Sequence, residues 1–168
     1  MLLAAALLAP VRAQGLAQLL PAAAPAGQGR LHFWGLPIYD ARLWVAPGFR
    51  QSEFTRHGFA LELTYLREFS GADIARRSVS EMRRAGDFAP SQAAAWEGAL
   101  RGLLPDVGPR DRITGIHRPG HGALFLVNGK PAGEIADSRF AALFFSIWLG
   151  PKSSEPGLRE SLLEGTAP

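Results

Sequence analysis

The sequence predicts an α+β domain, an antiparallel sheet with helices gathered on one of its faces. Three observations predict it. Period-two stretches dominate up to residue 66, two helical stretches occupy residues 70–104, and three short strands then precede a wholly apolar helix. At 168 residues a single domain is expected, large enough to bury a core without covalent staples.

Leu31-His32-Phe33-Trp34 reads as a strand and Gly35-Leu36-Pro37 as a break. In the next strand, Ile38 to Val45, Tyr39, Ala41, Leu43 and Val45 share one face, while Asp40, Arg42 and Trp44 share the other. The clearest strand runs from Phe59 to Leu66, with Phe59, Leu61, Leu63 and Tyr65 pointing together. Ser70-Gly71-Ala72-Asp73 opens a helix in a capping-box pattern, with an apolar stripe of Ala72, Ala75, Val79 and Met82. A second helix, from about Pro90 to Leu104, places Trp96, Leu100, Leu103 and Leu104 in the core. Turns at Pro119-Gly120 and Asn128-Gly129 divide residues 111–135 into an antiparallel meander.

The chain is organised around Asp137 to Pro151. Asp137 or Ser138 caps this helix, Gly150 is expected in the left-handed position after its end, and Pro151 stops it. Phe140, Leu143, Phe144, Ile147 and Trp148 form one apolar face, and Ala141, Ala142, Phe145 and Leu149 make the other side apolar too. A membrane span needs about 20 apolar residues, so this shorter run is a core helix. Ser146, its one polar interior residue, either bonds back to a carbonyl one turn earlier or looks into a cavity. A last short helix is expected from Pro156 to Leu163.

The ends and the charge bound the function. Leu2 to Leu8 is apolar and Val11-Arg12-Ala13 resembles a cleavage site, so residues 1–13 read as a signal peptide and the protein as periplasmic or secreted, although no positive charge precedes the apolar run. Residues 14–28, rich in alanine, proline and leucine, read as a poorly ordered leader to a single domain over 29–168. The net charge of +3 is spread among carboxylates and gives no basis for a nucleic-acid partner. The absence of cysteine removes thiolate nucleophiles and Cys-ligated metals. Of the histidines, His117 and His121 stand on two sides of a turn with no helpful third ligand, so no metal is expected. No nucleophile elbow or phosphate-binding loop appears, and no cofactor is expected.

What remains is an aromatic sheet face, an apolar helix and a few polar groups: Arg30, Tyr39, Arg42, Asn128 and Ser146. Each has a plain reading. Arg42 pairs with Asp40 in solvent, Asn128 opens a type I′ turn, and Tyr39 caps the core edge. The alternative is an apolar pocket with a few hydrogen-bonding groups, suited to a hydrophobic molecule bearing an acid or phenol.

Gly29 to Trp44, Leu104-Pro105-Asp106-Val107, Gly108 to Arg112, Asn128-Gly129 and Phe144 to Gly150 together resemble the bacterial chalcone isomerase-like proteins, over about Gly29 to Leu163. The resemblance implies an open-faced β-sandwich, a long antiparallel sheet covered by helices. That superfamily includes enzymes that close a chalcone to a flavanone and non-catalytic fatty-acid-binding members. The resemblance aligns the isomerases' strand Thr with Tyr39, their helix Tyr with Ile74, their helix Asn with Glu81 and their late hydroxyl with Ser146. Arg30 stands for their guanidinium, at a shorter spacing from Tyr39 than the family's. Chalcone cyclisation requires donors held where charge develops, and Ile74 cannot donate. The expectation is a non-catalytic protein that binds an apolar molecule such as a fatty acid through Arg30, Tyr39, Ile74, Glu81 and Ser146. An isomerase or lyase acting on another substrate, or a structural protein with an unknown protein partner, remains open.

Overall fold

The computed structural model describes residues 11–168. Its sheet has six strands, β1 (Ala24–Phe33), β2 (Leu36–Val45), β3 (Phe59–Tyr65), β4 (Arg112–Arg118), β5 (Gly122–Val127) and β6 (Lys130–Ile135), each antiparallel to the next in sequence order. The helices are α1 (Val11–Leu19), α2 (Gly71–Met82), α3 (Pro90–Leu103), α4 (Ser138–Leu149) and α5 (Pro156–Leu163). This is the expected α+β architecture.

Alternation divides the sheet. Ala41 and Leu43 of β2, Phe59, Leu61 and Leu63 of β3, Ile113 of β4 and Phe125 of β5 form the buried inner face, which α4 covers. Asp137 caps α4, accepting from the backbone N–H of Arg139 at 2.9 Å and of Phe140 at 3.0 Å, and its other oxygen accepts from Trp96 Nε1 of α3 at 3.0 Å. One carboxylate thus ties two helices together. Gly150 departs from the sequence expectation: its φ of −75° is extended, not left-handed. The glycine is needed for space, since an added Cβ would lie 2.9 Å from the Ser146 Cβ. Ser70 caps α2 as its capping box predicts, accepting from the Asp73 N–H at 3.1 Å.

The N-terminal part of the chain departs from its sequence reading. Residues 1–10 of the expected signal segment lie outside the described residues. The stretch expected to be a poorly ordered leader carries most of α1 and the start of β1, which begins at Ala24 rather than near Arg30. Leu16, Leu19 and Leu20 pack on Ala60, Ile116 and Leu126, so a helix covers part of the outer sheet face as well. The first part of β1 was hidden by its glycines, which serve a close approach: an added Cβ on Gly27 would stand 2.6 Å from the Leu162 carbonyl carbon of α5. Trp34 and Gly35, both at positive φ, make the two-residue turn into β2.

His117 lies on the inner face, stacked on the Phe59 ring with centroids 4.8 Å apart, and its Nδ1 donates to the His57 carbonyl at 2.8 Å. Burial lowers its pKa from the ordinary 6.5, with the His57 hydrogen bond opposing. The unfolded chain therefore takes up this proton first as pH falls. The stability that neutral His117 contributes is complete above the unfolded pKa and is lost as pH falls from there through the folded pKa. Urea midpoints are expected to drop between about pH 7.5 and 5.5, and His117→Gln to flatten that slope. An unchanged slope in the variant would assign the drop to other groups.

Candidate functional site

The sheet and helices part at one end of the molecule and leave a cavity of about 610 Å³. Its floor is sheet: Tyr39 from β2, Leu63 and Tyr65 from β3, Ile113 from β4 and Phe125 from β5. Ile74 and Ser78 of α2 form one wall, and Phe144, Ile147 and Trp148 of α4 the other. Glu81 and Arg77 of α2 also line it, together with Ser154 and Glu155 from the segment before α5. The lining is mostly apolar with polar groups in the minority, which is the usual make-up of a small-molecule site.

Two phenols occupy the floor. Tyr39 and Tyr65 are direct partners across β2 and β3, with ring centroids 5.8 Å apart edge to face. The Trp148 indole N–H donates to the Tyr39 hydroxyl oxygen at 3.0 Å. That bond fixes which way the Tyr39 proton can point. Neither hydroxyl proton meets an acceptor among the described residues, so both are donors available to a guest. Burial pushes the Tyr39 phenol up to about 12, against the Trp148 hydrogen bond, with the carboxylates of Glu155 and Glu81 adding to the rise and Arg77 opposing it. Burial also raises Tyr65, followed by the field of Tyr39. At neutral pH both keep their protons.

The charged groups that α2 contributes are paired. Glu81 is held by Arg77 at 3.0 Å and more loosely by Arg84 at 4.0 Å, and Arg76 pairs with Asp73. The arginines of these pairs are largely exposed, so the pairs contribute little to stability.

The residues expected from the sequence divide between two places. Tyr39, Ile74 and Glu81 line the cavity together. Arg30 does not: it pairs in register with Asp40, an outward residue because Tyr39 beside it points inward, and grips that carboxylate with two bonds of 2.6 and 2.9 Å. Ser146 is also elsewhere, its hydroxyl donating to the Ala142 carbonyl at 2.7 Å. Arg30, Tyr39 and Ser146 therefore do not converge on one point. Arg42 bonds Gln28 and lies over the Trp44 ring on the outer face, while Asn128, at φ 50°, opens its turn and accepts from the Arg112 N–H. The sequence reading missed Tyr65 and Trp148 as site residues. Tyr65 was detectable as the last inward residue of β3, but the pairing of Trp148 with Tyr39 links distant parts of the chain and needs the folded structure.

The sequence model of the chalcone isomerase-like family matches residues 53–164, two thirds of the chain. This protein belongs to the chalcone isomerase-like family. The match begins at Glu53, so Arg30 and Tyr39 lie ahead of it. No curated protein matches the sequence. Among solved structures, this chalcone isomerase-like chain is similar to a fatty-acid binding protein of Arabidopsis thaliana, with a TM-score of 0.65 and 14% identity over 86% of this chain and 88% of that one. The likeness covers more of the chain than the family match does, and at this identity it is a likeness of fold.

Proposed function

We propose that this member of the chalcone isomerase-like family, from its bacterial branch, is a non-catalytic binder of an apolar small molecule with an acidic end, such as a fatty acid. The observation that carries this reading is the cavity of about 610 Å³ with the oriented Tyr39 hydroxyl on its floor. Tyr39 donates to the acid oxygen and Trp148 holds Tyr39 in place, while Arg77 offsets part of the field of the Glu155 and Glu81 carboxylates at that point. The tail lies over Leu63, Ile113, Phe125 and Phe144, where burial of each methylene contributes about 0.8 kcal/mol. Ile74 contributes surface and no proton. The solved fatty-acid binding protein of similar fold supports the ligand class. The apolar run at residues 2–8 and the small residues ahead of Gln14 support export to the periplasm or beyond.

Native mass spectrometry of the protein purified from its own cells, followed by lipid extraction, tests the reading. A stoichiometric acid is expected, with affinity lowered about tenfold in Tyr39→Phe, the share of one hydrogen bond to a charged acceptor. Protein that arrives empty and fails to take up added dodecanoic or hexadecanoic acid would overturn it. N-terminal sequencing of the same sample tests export through the expected new terminus at Gln14.

A further inference from the structure

Among the described residues, the exposed large hydrophobic side chains are three, and all belong to the β1–β2 hairpin: Phe33 at 51% exposure, Trp34 at 86% and Leu36 at 47%. Such residues scattered singly over a surface mean little, but three on one tight turn form a patch. The turn itself does not require them. Trp34 has a φ of 52°, a conformation in which a bulky side chain is unusual, and its ring meets only the edge of Phe33, at 6.2 Å. Phe33 also lines the cavity, together with Leu31 and Ile38 from the two strands of the same hairpin. Phe33 thus belongs both to the exposed tip and to the cavity lining.

We infer that the Phe33–Leu36 tip inserts into the surface of a lipid bilayer and that the cavity exchanges its ligand with the bilayer there. This rests on the apolar-ligand reading above, and two observations favour a bilayer over a protein. Three partly exposed side chains offer on the order of 400 Å², about half of what each partner gives to a stable protein interface. A bilayer needs no complementary surface, and tryptophan is favoured at its interface. Charge selects the kind of bilayer. Around the hairpin and the cavity mouth Arg30 pairs with Asp40, Arg76 with Asp73 and Arg77 with Glu81, which leaves Arg67, beside the Leu66 N–H that bonds Ile38, and Arg110, whose N–H bonds Tyr65, outside any ion pair among the described residues; two such cations fall short of the cluster that anionic lipid requires. The tip is suited to a zwitterionic surface.

Phosphatidylcholine vesicles, with and without hexadecanoic acid, are the probe, and the Trp34→Ser/Leu36→Ser double variant is the main comparison. Neither residue lines the cavity, and both are exposed, so folding and uptake of dissolved acid are expected to be unchanged. Vesicle partitioning is expected to fall about 30-fold, and transfer of acid from vesicles to protein to slow with it. Partitioning of the wild type should persist at about 0.5 M salt, where exposed charges are screened. Wild type that binds dissolved acid but ignores vesicles, or a double variant that partitions like wild type, would overturn the docking. So would a concentration-dependent dimer of the wild type that the double variant abolishes, since the tip's occupant would then be a second copy. Vesicle docking by wild type and Tyr39→Phe alike, with no acid bound by either, would support docking and defeat the ligand reading instead.

Discussion

Phe145→Ala is expected to lower the unfolding free energy by about 4 kcal/mol, the scale of a large aromatic removed from a core that cannot close over the gap. Phe145 is fully buried at the centre of α4, edge-on to Phe59 at 4.8 Å, to His117 at 5.6 Å and to Phe144 at 5.2 Å. Its ring lies on Gly115 of β4, where an added Cβ would be only 3.0 Å away. That backbone cannot move up to fill the space, because β4 is held between β3 and β5 along its length. With domain stabilities of about 5–15 kcal/mol, this one change removes a large share. Urea unfolding measures it. A loss under about 2 kcal/mol would mean that Phe59 and Phe144 collapse into the vacancy.

Gly27→Ala is expected to destabilise by about 3 kcal/mol, although it adds a single methyl group. The new Cβ would overlap the carbonyl oxygens of Ser161 and Leu162, which are helix backbone and cannot rotate aside. Helix α5 must shift away from β1 as a body. The segment ahead of α5 carries Ser154 and Glu155 of the cavity, so acid binding is expected to weaken together with stability. Gly98→Ala is the control. Nothing lies within 4 Å of its added Cβ, and in the interior of α3 alanine is expected to stabilise by about 0.5–1 kcal/mol. Thermal melts of the two variants moving in opposite directions would confirm that crowding, and not the loss of glycine, is responsible.

How far the sequence could be read depended on how local each feature was. Strand β3 shows its inward face as Phe59, Leu61, Leu63 and Tyr65, and the caps of α2 and α4 are single residues acting on their neighbours, so these were legible. The end of β1, Leu31 to Phe33, was read as strand, but its first part was not, because Gly27 and Gly29 follow the needs of helix α5. The site divides in the same way. Ile74 and Glu81 lie one helical face along from each other and reach the cavity together. Arg30 depends on hairpin register, which the Trp34-Gly35 turn and a register shift between Leu31 and His32 decide, and the outcome is a solvent-side ion pair with Asp40. The Gly150 expectation failed because glycine has two uses after a helix, a left-handed φ or a tight approach, and only packing distinguishes them.

The C-terminal segment closes over the first strand. The Gly165 N–H donates to the Ala26 carbonyl at 3.0 Å, the Gln51 N–H donates to Ala167 at 2.9 Å, and α5 lies on β1. Every strand pairs with its neighbour in sequence, so the sheet can assemble in the order in which a ribosome delivers it. The first strand, however, stays uncovered on its inner side until α5 emerges. Emergence of α5 is thus the event that covers this strand, and a nascent chain stalled before Pro156 displays an open strand that chaperones and proteases can recognise as unfinished.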